Sequence, residues 1–142
     1  KIESINSGDF PNLPSLTYLG LSNNQISQIS EDAFNSLPQL HSLEINNNQI
    51  KAVNFKIDSL KELYDFSMSD NQIEDLPAEF FKNNKELQFV ELANNSIRSI
   101  PDTIFDGLDE LYKVDLTGNP CLDAVYEHIN HHELKTNLKN YC

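Results

Sequence analysis

The sequence predicts an α/β solenoid, a coil of short units stacked side by side, each adding one strand to a parallel sheet. Three observations predict it. Five asparagines, Asn24, Asn48, Asn71, Asn95 and Asn119, recur at spacings of 24, 23, 24 and 24 residues. Columns of apolar residues keep the same register from end to end. After Asn119 the pattern stops and a different, cysteine-bearing segment begins. Self-similarity at one short period marks a stacked array, because no single unit can bury its apolar edge alone.

The chain opens on a partial unit, residues 1–15. Ile2, Ile5, Phe10 and Leu13 match Ile26, Ile29, Phe34 and Leu37 at a spacing of 24 residues. Full units then start at Leu16, Leu40, Leu63, Leu87 and Leu111, so the repeats occupy residues 1–120 and a cap residues 121–142. Within each unit Leu19, Leu43, Phe66, Val90 and Val114 are followed two residues later by Leu21, Ile45, Met68, Leu92 and Leu116. Alternation of this kind marks a short strand with one buried face. Ile26, Ile50, Ile73 and Ile97 follow the asparagines; Ile29, Val53, Leu76 and Ile100 come next, and Phe34, Ile57, Phe81 and Phe105 close the pattern.

The resulting motif, L-x-x-L-x-L-x-x-N-x-I-x-x-I with a later Phe, resembles the leucine-rich-repeat family in its extracellular subclass with repeats of this length. The resemblance covers nearly the whole chain. It implies a right-handed horseshoe with a parallel concave sheet, an asparagine ladder bonding adjacent turns, and a phenylalanine spine under the convex side. Asparagine suits the ladder because its side chain donates and accepts at once.

Two departures are visible. The second unit is one residue short between Val53 and Ile57 and has Ile in place of Phe, which predicts a dent in the convex side. Asn84 stands in a column otherwise held by Leu13, Leu37, Leu60 and Leu108, so it must find hydrogen-bond partners or face outward. At the N-terminal edge no polar cap precedes Lys1. The expectation is a piece of a longer array, or an edge covered by another copy.

After Asn119-Pro120-Cys121, residues Leu122 to Tyr141 read as helix, with Val125, Ile129, His132, Leu134 and Leu138 at helical spacing. This end resembles the C-terminal cysteine-bearing cap of extracellular leucine-rich-repeat proteins, in a shortened form similar to insect secreted, innate-immune members. The resemblance implies a Cys121–Cys142 bridge and a secreted protein; two reduced thiols are the alternative. Asn94-Asn95-Ser96 is a glycosylation triplet on Asn94, of a kind that also arises by chance.

Composition narrows function. The net charge is −12 and the sequence pI about 4.5, so phosphate backbones are repelled and no compact basic patch offsets this. Mean hydropathy is −0.47, and no apolar run approaches the ~20 residues of a membrane helix. No basic-then-apolar leader opens the chain. His128, His131, His132 and Glu133 form the one dense group that could hold zinc, with His128 and His132 one helical turn apart; solvated surface histidines are the alternative. No metal site, cofactor or catalytic residue is assigned. There is no Gly-x-Ser-x-Gly elbow, and with only four glycines no phosphate-cradling loop, which argues against an enzyme.

Strand residues between the leucines face away from the core. They predict a binding face of Tyr18, Tyr64, Phe89 and Tyr112 interleaved with Glu44, Asp65, Glu91 and Asp115. Aromatics beside charges are typical of protein-recognition surfaces, although strands also favour aromatics for their own sake. The expected function is an extracellular protein-binding module for a ligand with a basic surface, in innate immunity, reception or adhesion. The alternative is a structural module that self-associates through its open N-terminal edge.

Overall fold

The computed structural model describes residues 1–142. It is the expected right-handed solenoid. Strands β2 (Tyr18–Gly20), β4 (Ser42–Glu44), β5 (Asp65–Ser67), β6 (Phe89–Glu91) and β7 (Lys113–Asp115) lie parallel and in register, one per repeat. On the other side of the coil, β1 (Ser4–Ile5) pairs with β3 (Gln28–Ile29), and a single bridge joins Asp75 to Ser99.

The core follows the apolar columns. Leu43, Phe66, Val90 and Val114 are fully buried, as are Ile45, Met68, Leu92 and Leu116. Each such side chain contributes roughly 1.5–3 kcal/mol through burial. The asparagines make the expected ladder. The Ile26 amide donates to Asn48 Oδ1 at 2.9 Å, while Asn48 Nδ2 donates back to the Leu21 carbonyl at 3.0 Å. Asn71, Asn95 and Asn119 repeat both contacts, reaching the carbonyls of Ile45, Met68 and Leu92 at 3.0, 3.0 and 2.9 Å.

A second ladder runs outside the first. Ser22 Oγ accepts the Asn46 amide at 3.0 Å, Asn46 Oδ1 the Ser69 amide at 2.7 Å, and Ser69 Oγ the Ala93 amide at 3.0 Å. Beside it, Asn23, Asn47, Asp70 and Asn94 each take a left-handed backbone, with φ between 54° and 62°. Asn and Asp tolerate that conformation where larger side chains do not.

The phenylalanine spine is present but detours at the short repeat. Phe10 stacks on Phe34 at 6.0 Å and Phe81 on Phe105 at 5.7 Å. Between these pairs Phe55 and Phe80 carry the chain of ring contacts edge to face, at 5.6, 5.5 and 4.9 Å. Phe55 thus fills the place that Ile57 is too small to fill. The expected dent is a recess of about 430 Å³ whose apolar lining includes Val53, Phe55 and Phe80. Asn84 is fully buried and donates to the carbonyls of Ile57 and Leu60 at 2.8 and 2.9 Å; its own oxygen has no partner.

The cap corrects the sequence expectation. Residues 122–130 are not helical. Val125–Glu127 form β8, antiparallel to β7, and extend the sheet to six strands. Helix α1 covers only His131–Tyr141, starting where Asn130 Oδ1 accepts the Glu133 amide at 3.1 Å. Leu134 and Leu138 turn its buried face inward. Cys121 and Cys142 are joined by a disulfide that ties the end of α1 to the last repeat.

Candidate functional site

The concave sheet presents three rows of side chains, one residue per strand in each. Row one, just before the strands, carries Thr17, His41, Tyr64, Gln88 and Tyr112. Tyr64 is 41% and Tyr112 39% exposed. Row two carries Tyr18, Ser42, Asp65, Phe89 and Lys113, and row three Gly20, Glu44, Ser67, Glu91 and Asp115, as strand register requires. Tyr18, on the first strand of this sheet, is 53% exposed. Ser42 and Ser67 lie on the same face but are buried between larger neighbours.

Six of these residues and one turn residue, Asn46, meet closely. Glu44, Asn46, Tyr64, Asp65, Ser67, Phe89 and Glu91 line a recess of about 370 Å³. Tyr18 donates its hydroxyl proton to Glu44 at 2.9 Å, which holds the Tyr18 phenol above its usual pKa. Ser42 Oγ donates to Asp65 at 3.3 Å. Burial raises the pKa of Asp65, and the charges of Glu91 and Glu44 raise it further against the Ser42 bond. The single basic side chain bonded within this group is Lys113, 3.3 Å from Glu91. The recess is therefore a place where anionic charge is concentrated and largely uncompensated.

Asp115 plays another part. Its Oδ1 accepts the Thr117 amide at 3.0 Å and the Thr117 hydroxyl at 2.7 Å. Ala93 has no oxygen to continue the outer ladder, and Asp115 supplies the acceptor for that turn instead. The acidic group thus centres on Glu44, Asp65 and Glu91.

The histidines do not form a shared helical face. His128 lies outside α1 with φ 50°, and no group of three metal-ligating side chains is present. His128 Nε2 instead lies 2.9 Å from Tyr112 Oη, with ring centroids 4.6 Å apart. His131 and His132 are exposed on α1. Asn94 is exposed on the rim and donates to Asp70 Oδ1 at 3.0 Å. No helix is long and apolar enough to cross a membrane.

The molecule is thus a repeat solenoid whose parallel sheet carries aromatic and acidic side chains on its exposed face. A leucine-rich-repeat profile matches residues 1–50 and 61–120, and the chain belongs to that family. It is similar to a leucine-rich-repeat protein of Leptospira interrogans, at 34% identity over 79% of this chain and 29% of that one, with a TM-score of 0.69. It shares its fold with the leucine-rich-repeat domain of APL1, at 20% identity over 83% of this chain and 32% of that one, TM-score 0.76. The chain therefore spans about a third or less of the length of either structure. No curated protein matches it.

Proposed function

We propose that this chain is an extracellular recognition module that binds a basic protein surface through its concave face. One observation carries the proposal: exposed tyrosines surround a recess holding Glu44, Asp65 and Glu91, whose bonded counter-charge is Lys113 alone. Complementary charge steers such encounters and sets their register, and aromatics on a rigid sheet supply contact area at little entropic cost. Family membership supports a binding role. The Cys121–Cys142 bridge supports an oxidising compartment, and with it a secreted protein carrying a glycan on Asn94. Immune recognition, reception and adhesion are the roles that fit such a module.

The test is affinity capture from the extracellular fluid of the source organism. Wild type is run beside a Glu44→Lys, Asp65→Lys, Glu91→Lys variant checked for an unchanged circular dichroism spectrum. The proposal expects a protein with a basic surface on the wild type and its loss from the variant. Equal capture by both, or no capture, contradicts it.

A further inference from the structure

We propose that the C-terminal cap completes the concave binding face. Its His128, with Tyr112 and Phe89, seats an apolar side chain of the partner about three residues from the cationic side chain held over Asp65. The proposal rests on the reading of the concave face as the binding surface, and adds to it a partner of stated chemistry: an extended segment with one basic and one apolar side chain.

Strand β8 pairs in register with β7, Glu127 opposite Lys113 and Val125 opposite Asp115. Directly opposed residues lie on one side of a sheet, so the cap adds a sixth strand to the face. The chain then turns through a left-handed His128, a conformation that costs roughly 1–2 kcal/mol for a residue with a Cβ. That turn brings the imidazole edge-on to Tyr112, at 4.6 Å between centroids, with the 2.9 Å bond fixing both rings. Tyr112 in turn meets Phe89 edge to face at 5.9 Å. Three rings from three successive strand positions thus form one shelf. Lys113, beside it, is bonded to Glu91, so its charge does not repel a basic partner strongly.

The geometry sets the spacing. Adjacent strands lie ~4.8 Å apart, so Tyr112 on the β7 side is roughly 10 Å from Asp65, two strands away. A segment crossing the strands covers that in about three residues at ~3.1–3.4 Å each. In a polyproline-II conformation, residues three apart point to the same side. A basic side chain over the recess and an apolar one on the shelf therefore fit a single extended stretch.

The test uses a random dodecapeptide library displayed on phage and selected against three proteins. These are the wild type, His128→Asn, which keeps a residue tolerant of the left-handed turn, and Tyr112→Ser, which removes the middle ring of the shelf and its bond to His128. On the wild type the enriched peptides are expected to carry Arg or Lys with an apolar residue three positions away. On both variants the basic position is expected to persist while enrichment of the apolar position falls at least tenfold. An apolar position that is absent on the wild type, or unchanged on His128→Asn, overturns the role of the cap and leaves the acidic recess standing. Enriched peptides without a basic residue, or no enrichment at all, overturn the recognition reading beneath it.

Discussion

Asn84 Nδ2 donates to the Ile57 carbonyl at 2.8 Å, so a side chain of the third repeat braces the shortened turn of the second. The polar residue in the leucine column and the missing residue before Ile57 are therefore two halves of one local arrangement. Replacing Asn84 by Asp keeps its size but removes both donors and buries a carboxylate against two carbonyl oxygens. The expected loss is about 3–5 kcal/mol at neutral pH. The buried carboxyl has its folded pKa raised, so stability returns as pH falls through that value toward the ordinary carboxylate range. Urea midpoints at pH 7 and pH 4.5 check this; equal losses at both refute it.

The ladder is not uniform. Asn71 accepts the Ile50 amide and donates to carbonyls of two repeats, while Asn24 accepts the Ile2 amide and donates only within its own turn. Asn71→Ala is expected to cost ~2–4 kcal/mol and Asn24→Ala ~1 kcal/mol, counting about 1 kcal/mol per buried bond. Chemical denaturation of the two variants decides; a larger loss for Asn24→Ala contradicts the assignment.

The disulfide fastens the cap. Changing Cys121 and Cys142 to Ser opens a loop whose closure contributes roughly 3 kcal/mol in the chain-entropy model. The first amides to lose hydrogen-exchange protection should be those of α1 and β8, ahead of those of β4 to β6. Uniform loss across the repeats would show that the bridge supports the whole array rather than its end.

The surroundings of Asp65 disfavour its ionised form. Burial and the neighbouring carboxylates raise its folded pKa, so ionisation above that value opposes folding. Asp65→Asn keeps an acceptor for Ser42 and removes the charge. It should raise Tm by ~1–2 °C at pH 7, with the gain vanishing as pH falls to the ordinary carboxylate range. A variant less stable than wild type at pH 7 contradicts the account of this site.

The repeats were legible because their period is written five times over, and burial follows that pattern at nearly every apolar position. The concave face was legible for the same reason: strand alternation fixes which residues point outward. The cap was not. Val125 and Ile129 are spaced like one face of a helix, and over so short a stretch a four-residue spacing fits a helical turn and a two-residue alternation alike. The signal that separates them is Asn130-x-x-Glu133, a capping pattern that places the helix start after the histidine. That Asp115 also accepts from Thr117 was not legible, because Thr117 belongs to a turn that the repeat pattern leaves unspecified. Phe55 and Phe80 lie outside the repeating Phe column, and only the packing around the short repeat brings them into the spine.

The central claim is that the concave face is the recognition surface. The most direct measurement is hydroxyl-radical footprinting of the chain with its captured partner bound. Tyr18, Tyr64 and Tyr112 should be protected, while Tyr141, 64% exposed near the end of α1, should react as before. Protection of Tyr141 with the three sheet tyrosines unchanged would place binding elsewhere and contradict the claim.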